Sequence, residues 1–271
     1  MKKYQDAVKY IKNIIIDTTP KIGIVLGSGL GLMTEKIEDK IVIPYSSIPN
    51  FPISTVDGHD GNLIIGTIGN NSVIAMQGRF HFYEGYSMEE VTFPIRVMKL
   101  LGVEYLFVSN AAGGLNPEYK VGDLMIIEDH INFFPGNPLR GKNEDSFGPR
   151  FPDMSKTYCP KLINKALEIG RHENIKLKKG IYIGSSGPTL ETPAEYKLFR
   201  LFGADATGMS TIPEIIVAHH CGISCFGISV ITNESAIPFS GSTSTIEEVK
   251  TNAAAAEPKL TTILLNLIEQ I

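Results

Sequence analysis

Arg79 and His81 stand two residues apart at the end of the apolar run in SVIAMQGRFHFYEGY. In extended backbone, positions i and i+2 project to one side, so a guanidinium fork and an imidazole would face the same space. That pairing suits an anion, phosphate above all, because each charge-assisted bond from arginine contributes about 1.5–3 kcal/mol. Three other stretches carry groups of similar use. Ser28 lies in the Gly-flanked turn GSGLG, between an apolar run and a helical pattern, where its hydroxyl and backbone N–H groups can meet a phosphate oxygen. SNAAGGLNP, Ser109 to Pro117, follows the run EYLFV and offers small residues whose backbone a ligand can approach closely. Ser210, in GMST, adds a hydroxyl at the start of a helix.

Taken singly, each group has a plainer reading. Ser28 can be an ordinary turn residue and Arg79 half of a surface ion pair, while His59, His130, His219 and His220 can be packing residues. The anion reading rests on convergence: these groups fall at the ends of apolar strands, where open α/β sheets place their ligand crevice.

The elements that must position them alternate. KIGIVLG, NLIIGTIG, SVIAMQG, EYLFVSN, DLMIIED, KGIYIG and GISCFGISVITN read as strands, several apolar throughout, as strands covered on both faces are. Between them SMEEVTFPIRVMKLLG, CPKLINKALEIGRHEN, PAEYKLFRLFGA and STIPEIIVAHHCG read as helices, as do the two ends of the chain. The order predicts an α/β fold, one domain over residues 1–271, with a central mixed sheet and surrounding helices. The two strands joined at GNNS predict an antiparallel hairpin. The Pro- and Gly-rich stretch from Phe133 to Pro152 is the one long loop, and its composition predicts an ordered, functional segment.

Composition excludes several classes. The 271 residues are 43% hydrophobic with a formal net charge of −4, so no basic field recruits nucleic acid or an anionic membrane surface. No apolar run approaches the roughly 20 residues of a membrane span, and the N-terminal pattern is a helix rather than a signal peptide. A cytoplasmic protein is expected. Three scattered cysteines, Cys159, Cys221 and Cys225, make neither a disulfide framework nor a zinc site. A dinucleotide fingerprint on Gly27 and Gly29 fails at Leu32, and a phosphate loop over Gly136 to Asn143 fails at Asn143.

The stretches VLGSGLG, GHDGNLIIG, QGRFHFYEGYSMEEVTFPIRVMKLLG, SNAAGGLNP, VGDLMIIEDHINFFPGNPLRG, FGPRFPDMS, GPTLETPAEY, GADATGMSTIPEIIVAHHCG and ITN resemble, in order, the trimeric purine nucleoside phosphorylases. The resemblance covers residues 5 to 265. It implies cleavage of the N-glycosidic bond of inosine, guanosine and their deoxy forms by inorganic phosphate, a role in purine salvage, no cofactor or metal, and a homotrimer. It also implies that Ser28, His59, Arg79, His81, Ala111 and Ser210 bind phosphate, and that Tyr83 and Met209 face the ribose. Phe151 would close over the ribose from a neighbouring subunit. Ala112, Gly113, Leu190, Glu191, Thr207 and Asn233 would form the base pocket, with Asn233, Glu191 and His81 closest to the chemistry.

The chemistry agrees with those residue types. Breaking the C1′–N9 bond builds positive charge on the sugar and negative charge on the purine. A clamped phosphate answers the first, and the carboxamide of Asn233 at N7 and O6 answers the second, with Glu191 accepting from N1–H. Two positions depart from the family pattern. Ile246 stands where many members carry a histidine for the 5′-hydroxyl, so a 5′-modified substrate such as 5′-methylthioinosine is an alternative. Leu190 stands where an aromatic commonly packs on the base. A hydrolytic nucleosidase or a non-catalytic binder remain the readings from other classes.

Overall fold

The computed structural model describes residues 1–16, 18–27, 31–53, 61–234 and 245–271. Ser28 and His59 lie outside the described residues, so their expected roles stay sequence expectations. In chain order the helices are α1 (Lys2–Ile15), α2 (Leu32–Glu35), α3 (Met88–Val91), α4 (Phe93–Leu101), α5 (Pro160–His172), α6 (Pro193–Leu201), α7 (Ile212–His220) and α8 (Ile246–Glu269). The strands are β1 (Ile22–Val25), β2 (Glu38–Pro44), β3 (Asn62–Ile68), β4 (Asn71–Gln77), β5 (Tyr105–Gly114), β6 (Leu124–Asn132), β7 (Leu177–Gly184), β8 (Ala206–Gly208) and β9 (Ser224–Glu234).

All nine described strands join one mixed sheet in the order β2-β3-β4-β1-β5-β8-β7-β6-β9. Beyond β5 the sheet curls until β9 pairs with β5 as well as with β6, closing a ring of five strands. β3 and β4 form the expected antiparallel hairpin, with Ile68 opposite Asn71. One core beneath the sheet takes α1, α4 and α7, and a second on the opposite face takes α5 and α8. β1 is buried from end to end because both cores claim it, and each aliphatic side chain fully removed from water there contributes about 1.5–3 kcal/mol.

Three local readings change. β5 runs beyond the expected EYLFVSN through Gly114, because ten residues of register with β9 override the poor strand preference of alanine and glycine. The helix expected over residues 87–102 breaks at Thr92, since Pro94 has no N–H for the carbonyl of Glu90. β2 and β8 were not legible, the first because it opens on three exposed charged residues and the second because it is three residues long. The segment after β6 is turns anchored by Phe147, which packs edge-on against Tyr4 in the core with ring centroids 5.5 Å apart. Among the described residues no helix is long and apolar enough to cross a membrane.

Candidate active site

One cleft, about 740 Å³ of open space, gathers twelve of the residues expected to bind phosphate, ribose or base, together with Ile246. The twelve are Arg79, His81, Tyr83, Ala111, Ala112, Gly113, Leu190, Glu191, Thr207, Met209, Ser210 and Asn233. The cleft lies where β5, β8 and β9 end together.

β4 ends at Gln77, and the alternation of side chains in the segment just beyond it builds the Arg79 wall. Phe80 is buried, 5.2 Å from the ring of Tyr45, and its neighbours on either side turn to the cleft. Tyr45 also donates its hydroxyl to the Gly78 carbonyl at 2.7 Å, which pins the end of β4. Arg79 is 1% exposed, so it is no surface ion pair. Its Nη1 donates to the Ser109 carbonyl at 2.8 Å, and its Nε and Nη2 donate to Glu214 Oε1 at 3.0 and 2.7 Å.

His81 faces Glu84 Oε1 through Nδ1 at 3.0 Å, and the same oxygen accepts the His81 backbone N–H at 2.7 Å. Burial holds the imidazole pKa below its ordinary value, against the opposing pull of Glu84. Tyr83 stacks on His81 with centroids 4.6 Å apart, and burial pushes its hydroxyl up to about 12, so it stays a neutral donor at physiological pH.

Ser210 precedes α7 at the backbone's tightest point. Thr211, the N-cap, adopts φ 72° and ψ −54°, a strained γ-turn closed by the Ile212 N–H donating to the Ser210 carbonyl at 2.8 Å. The compensation is a small network: Asn110 Nδ2 donates to Thr211 Oγ1 at 2.8 Å, and the Ser210 and Thr211 hydroxyls lie 3.2 Å apart.

At the other end of the cleft Thr207 donates to Glu191 Oε1 at 2.8 Å, fixing one carboxylate oxygen. Asn233 sits opposite Gly113, where the β5–β9 register slips between Ala112 and Gly113. Such a bulge re-aims a side chain at a strand end. The Thr232 hydroxyl donates to Asn233 Oδ1 at 3.2 Å, which turns the amide nitrogen the other way. A Cβ at Gly113 would stand 3.1 Å from Asn233 Nδ2, close enough to press on the amide.

Phe151 does not join this cleft. It is 87% exposed and lines a separate groove with His130, Arg140 and Arg150. Sequence reasoning missed Asn110, Tyr196, Thr232 and Val249, which line the cleft, and Glu214 and Glu84, which hold its arginine and its histidine respectively. Glu84 alone had a local signal, three positions after His81 as in a capping box.

Comparison with known proteins defines the class first: a family model described as the phosphorylase superfamily matches residues 21–269. The purine nucleoside phosphorylase 1 of Bacillus subtilis (strain 168) is 56% identical over 234 residues, covering 86% of each chain. The rat purine nucleoside phosphorylase is 49% identical, covering 93% of this chain and 89% of its own. A Schistosoma mansoni purine nucleoside phosphorylase solved with inosine superposes with a TM-score of 0.95 at 42% identity, covering 100% of this chain and 97% of that one. Isoform 2 from the same organism, solved with cytosine and ribose-1-phosphate, gives 0.95 at 44% identity, covering 100% and 96%. The chain therefore belongs, within the phosphorylase superfamily, to the purine nucleoside phosphorylases.

Proposed function

We propose that this cleft carries out phosphorolysis of 6-oxopurine nucleosides, inosine and guanosine and their deoxy forms, to free base and (deoxy)ribose 1-phosphate. The observation that carries the reading is the meeting, in one cleft, of an anion wall and a base wall. Arg79, His81, Ser210 and the backbone at Ala111 hold phosphate under C1′, with Ser28 and His59 assigned to the same group on sequence grounds. Tyr83 and Met209 face the sugar. Glu191, steadied by Thr207, accepts from N1–H, and the Asn233 amide donates to N7 and O6 as negative charge moves onto the purine. Ala112, Gly113, Leu190 and Thr207 line the base pocket. The wall needs no cofactor, since inorganic phosphate is the nucleophile and positioning lowers the barrier.

The proposal extends to assembly and setting. A homotrimer in which Phe151 completes the neighbouring cleft is supported by its exposure and by the outward Leu201 and Phe202 at the end of α6. A cytoplasmic setting is supported by three unpaired cysteines, and a role in purine salvage follows from the reaction itself, which frees the base.

A second reading has its own observation. Ile246 and Val249, one helical turn apart on α8, present aliphatic side chains to the cleft. They favour a nucleoside with an apolar 5′ group, such as 5′-methylthioinosine. One assay separates the readings: base release from inosine, adenosine and 5′-methylthioinosine, with and without inorganic phosphate. The proposal expects phosphate-dependent release from inosine at least tenfold faster than from adenosine, about 1.4 kcal/mol of discrimination. Faster turnover of 5′-methylthioinosine selects the second reading. Release without phosphate makes the protein a nucleosidase and overturns both.

A further inference from the structure

Behind the anion wall lies a carboxylate that the reaction scheme does not use. Glu214, on the first turn of α7, is 3% exposed, and its Oε1 takes both Arg79 donors. Its other oxygen, Oε2, is buried with no hydrogen-bond partner among the described residues. The pair is thus one-sided, a single oxygen against two N–H groups, where a matched guanidinium and carboxylate would use two. Thr211, whose Oγ1 stands 3.5 Å from Arg79 Nη2, holds its strained positive-φ backbone at the same corner.

A guanidinium buried to this degree, without a counter-charge, carries a desolvation penalty of several kcal/mol. Glu214 offsets it before any ligand arrives. The arriving phosphate then meets oriented donors on a pair whose charges already cancel.

We propose that Glu214 is a positioning residue that aims Arg79 at the anion and cancels its charge, so that the pair, rather than the arginine alone, sets how tightly phosphate is held. The inference rests on the reading that Arg79 faces phosphate. Its consequence is turnover: a wall that held phosphate with an uncompensated buried cation would hold the sugar phosphate product equally firmly. Glu214 trades anion affinity for release.

The test uses the full-length protein, inorganic phosphate as probe, and Glu214→Gln, which keeps shape and acceptor and removes the charge. The variant should melt below wild type without phosphate, because its cation is uncompensated, and should recover more on adding saturating phosphate. Its phosphate KM should fall roughly fivefold, equivalent to about 1 kcal/mol. Its inosine KM should stay within about twofold, and kcat should fall as the sugar phosphate leaves more slowly. A phosphate-induced rise in Tm no larger than wild type's, with phosphate KM unchanged or raised, overturns the proposal and leaves Glu214 a packing residue. If Glu214→Gln does not fold, Glu214→Asp decides. It keeps the charge but withdraws it by one methylene, so phosphate KM should rise while inosine KM holds, and an unchanged phosphate KM overturns the inference. Wild-type protein whose Tm ignores phosphate would refute the anion-wall reading itself, a result distinct from either.

Discussion

His81 illustrates how a single residue's environment changes its expected chemistry. Sequence suggested an imidazole N–H aimed at phosphate. The Glu84 carboxylate only accepts, so it selects the tautomer with hydrogen on Nδ1 and leaves Nε2 an acceptor, and burial keeps the ring from taking a second proton. Before phosphate binds, Nε2 is thus set to accept from the hydroxyl of a phosphate monoanion. The phosphate KM should rise as pH increases through the alkaline side of neutrality, where the monoanion disappears. His81→Asn should flatten that rise while raising KM at neutral pH. Steady-state kinetics across pH decide it, and a wild-type phosphate KM that improves with rising pH refutes the neutral-ring account.

At the level of elements, the base wall depends on how the segment between β7 and α6 packs. Gly187 adopts φ 60°, and a Cβ there would come within 2.4 Å of Met209 Sδ. Gly187→Ala therefore asks an alanine to hold a left-handed backbone, at about 1–2 kcal/mol, and pushes Met209 toward the cleft. Glu191 and Leu190 follow four and three residues later, so the strain is delivered mainly to the base pocket and, through Met209, to the sugar side of the cleft. Nucleoside KM should rise several-fold while phosphate KM stays constant. The opposite pattern in the measured KM values would show that this segment supports the phosphate end.

For the whole molecule, the sheet's closure into a five-stranded ring brings β5, β8 and β9 to one rim, and the cleft sits there. The groove bearing Phe151 lies elsewhere on the protomer, which suits a residue that serves another copy. Sedimentation of the native protein should report three copies. Phe151→Ala should leave that number unchanged and raise the nucleoside KM about tenfold, because an aromatic cover worth about 1–1.5 kcal/mol is lost from each cleft. Full activity in a stable single protomer would refute the shared site.

Much of the site was legible without coordinates, for reasons that act over a few residues. The two-residue period put Arg79 and His81 on one side with Phe80 between them, and the apolar runs located the strand ends where ligand groups collect. Glu191, Thr207 and Asn233 were expected in the base pocket from the resemblance to the purine nucleoside phosphorylases, and all three line the cleft. What only the tertiary structure decided is which distant residue stands beside each of these. Glu214 reaches Arg79 across 135 residues of sequence, Asn110 reaches Thr211 across 101, and the slipped register between β5 and β9 aims Asn233. Backbone period and turn chemistry are local properties of the chain, whereas the partner of a buried charge is chosen by which elements pack together, and that choice belongs to the folded sheet and its helices.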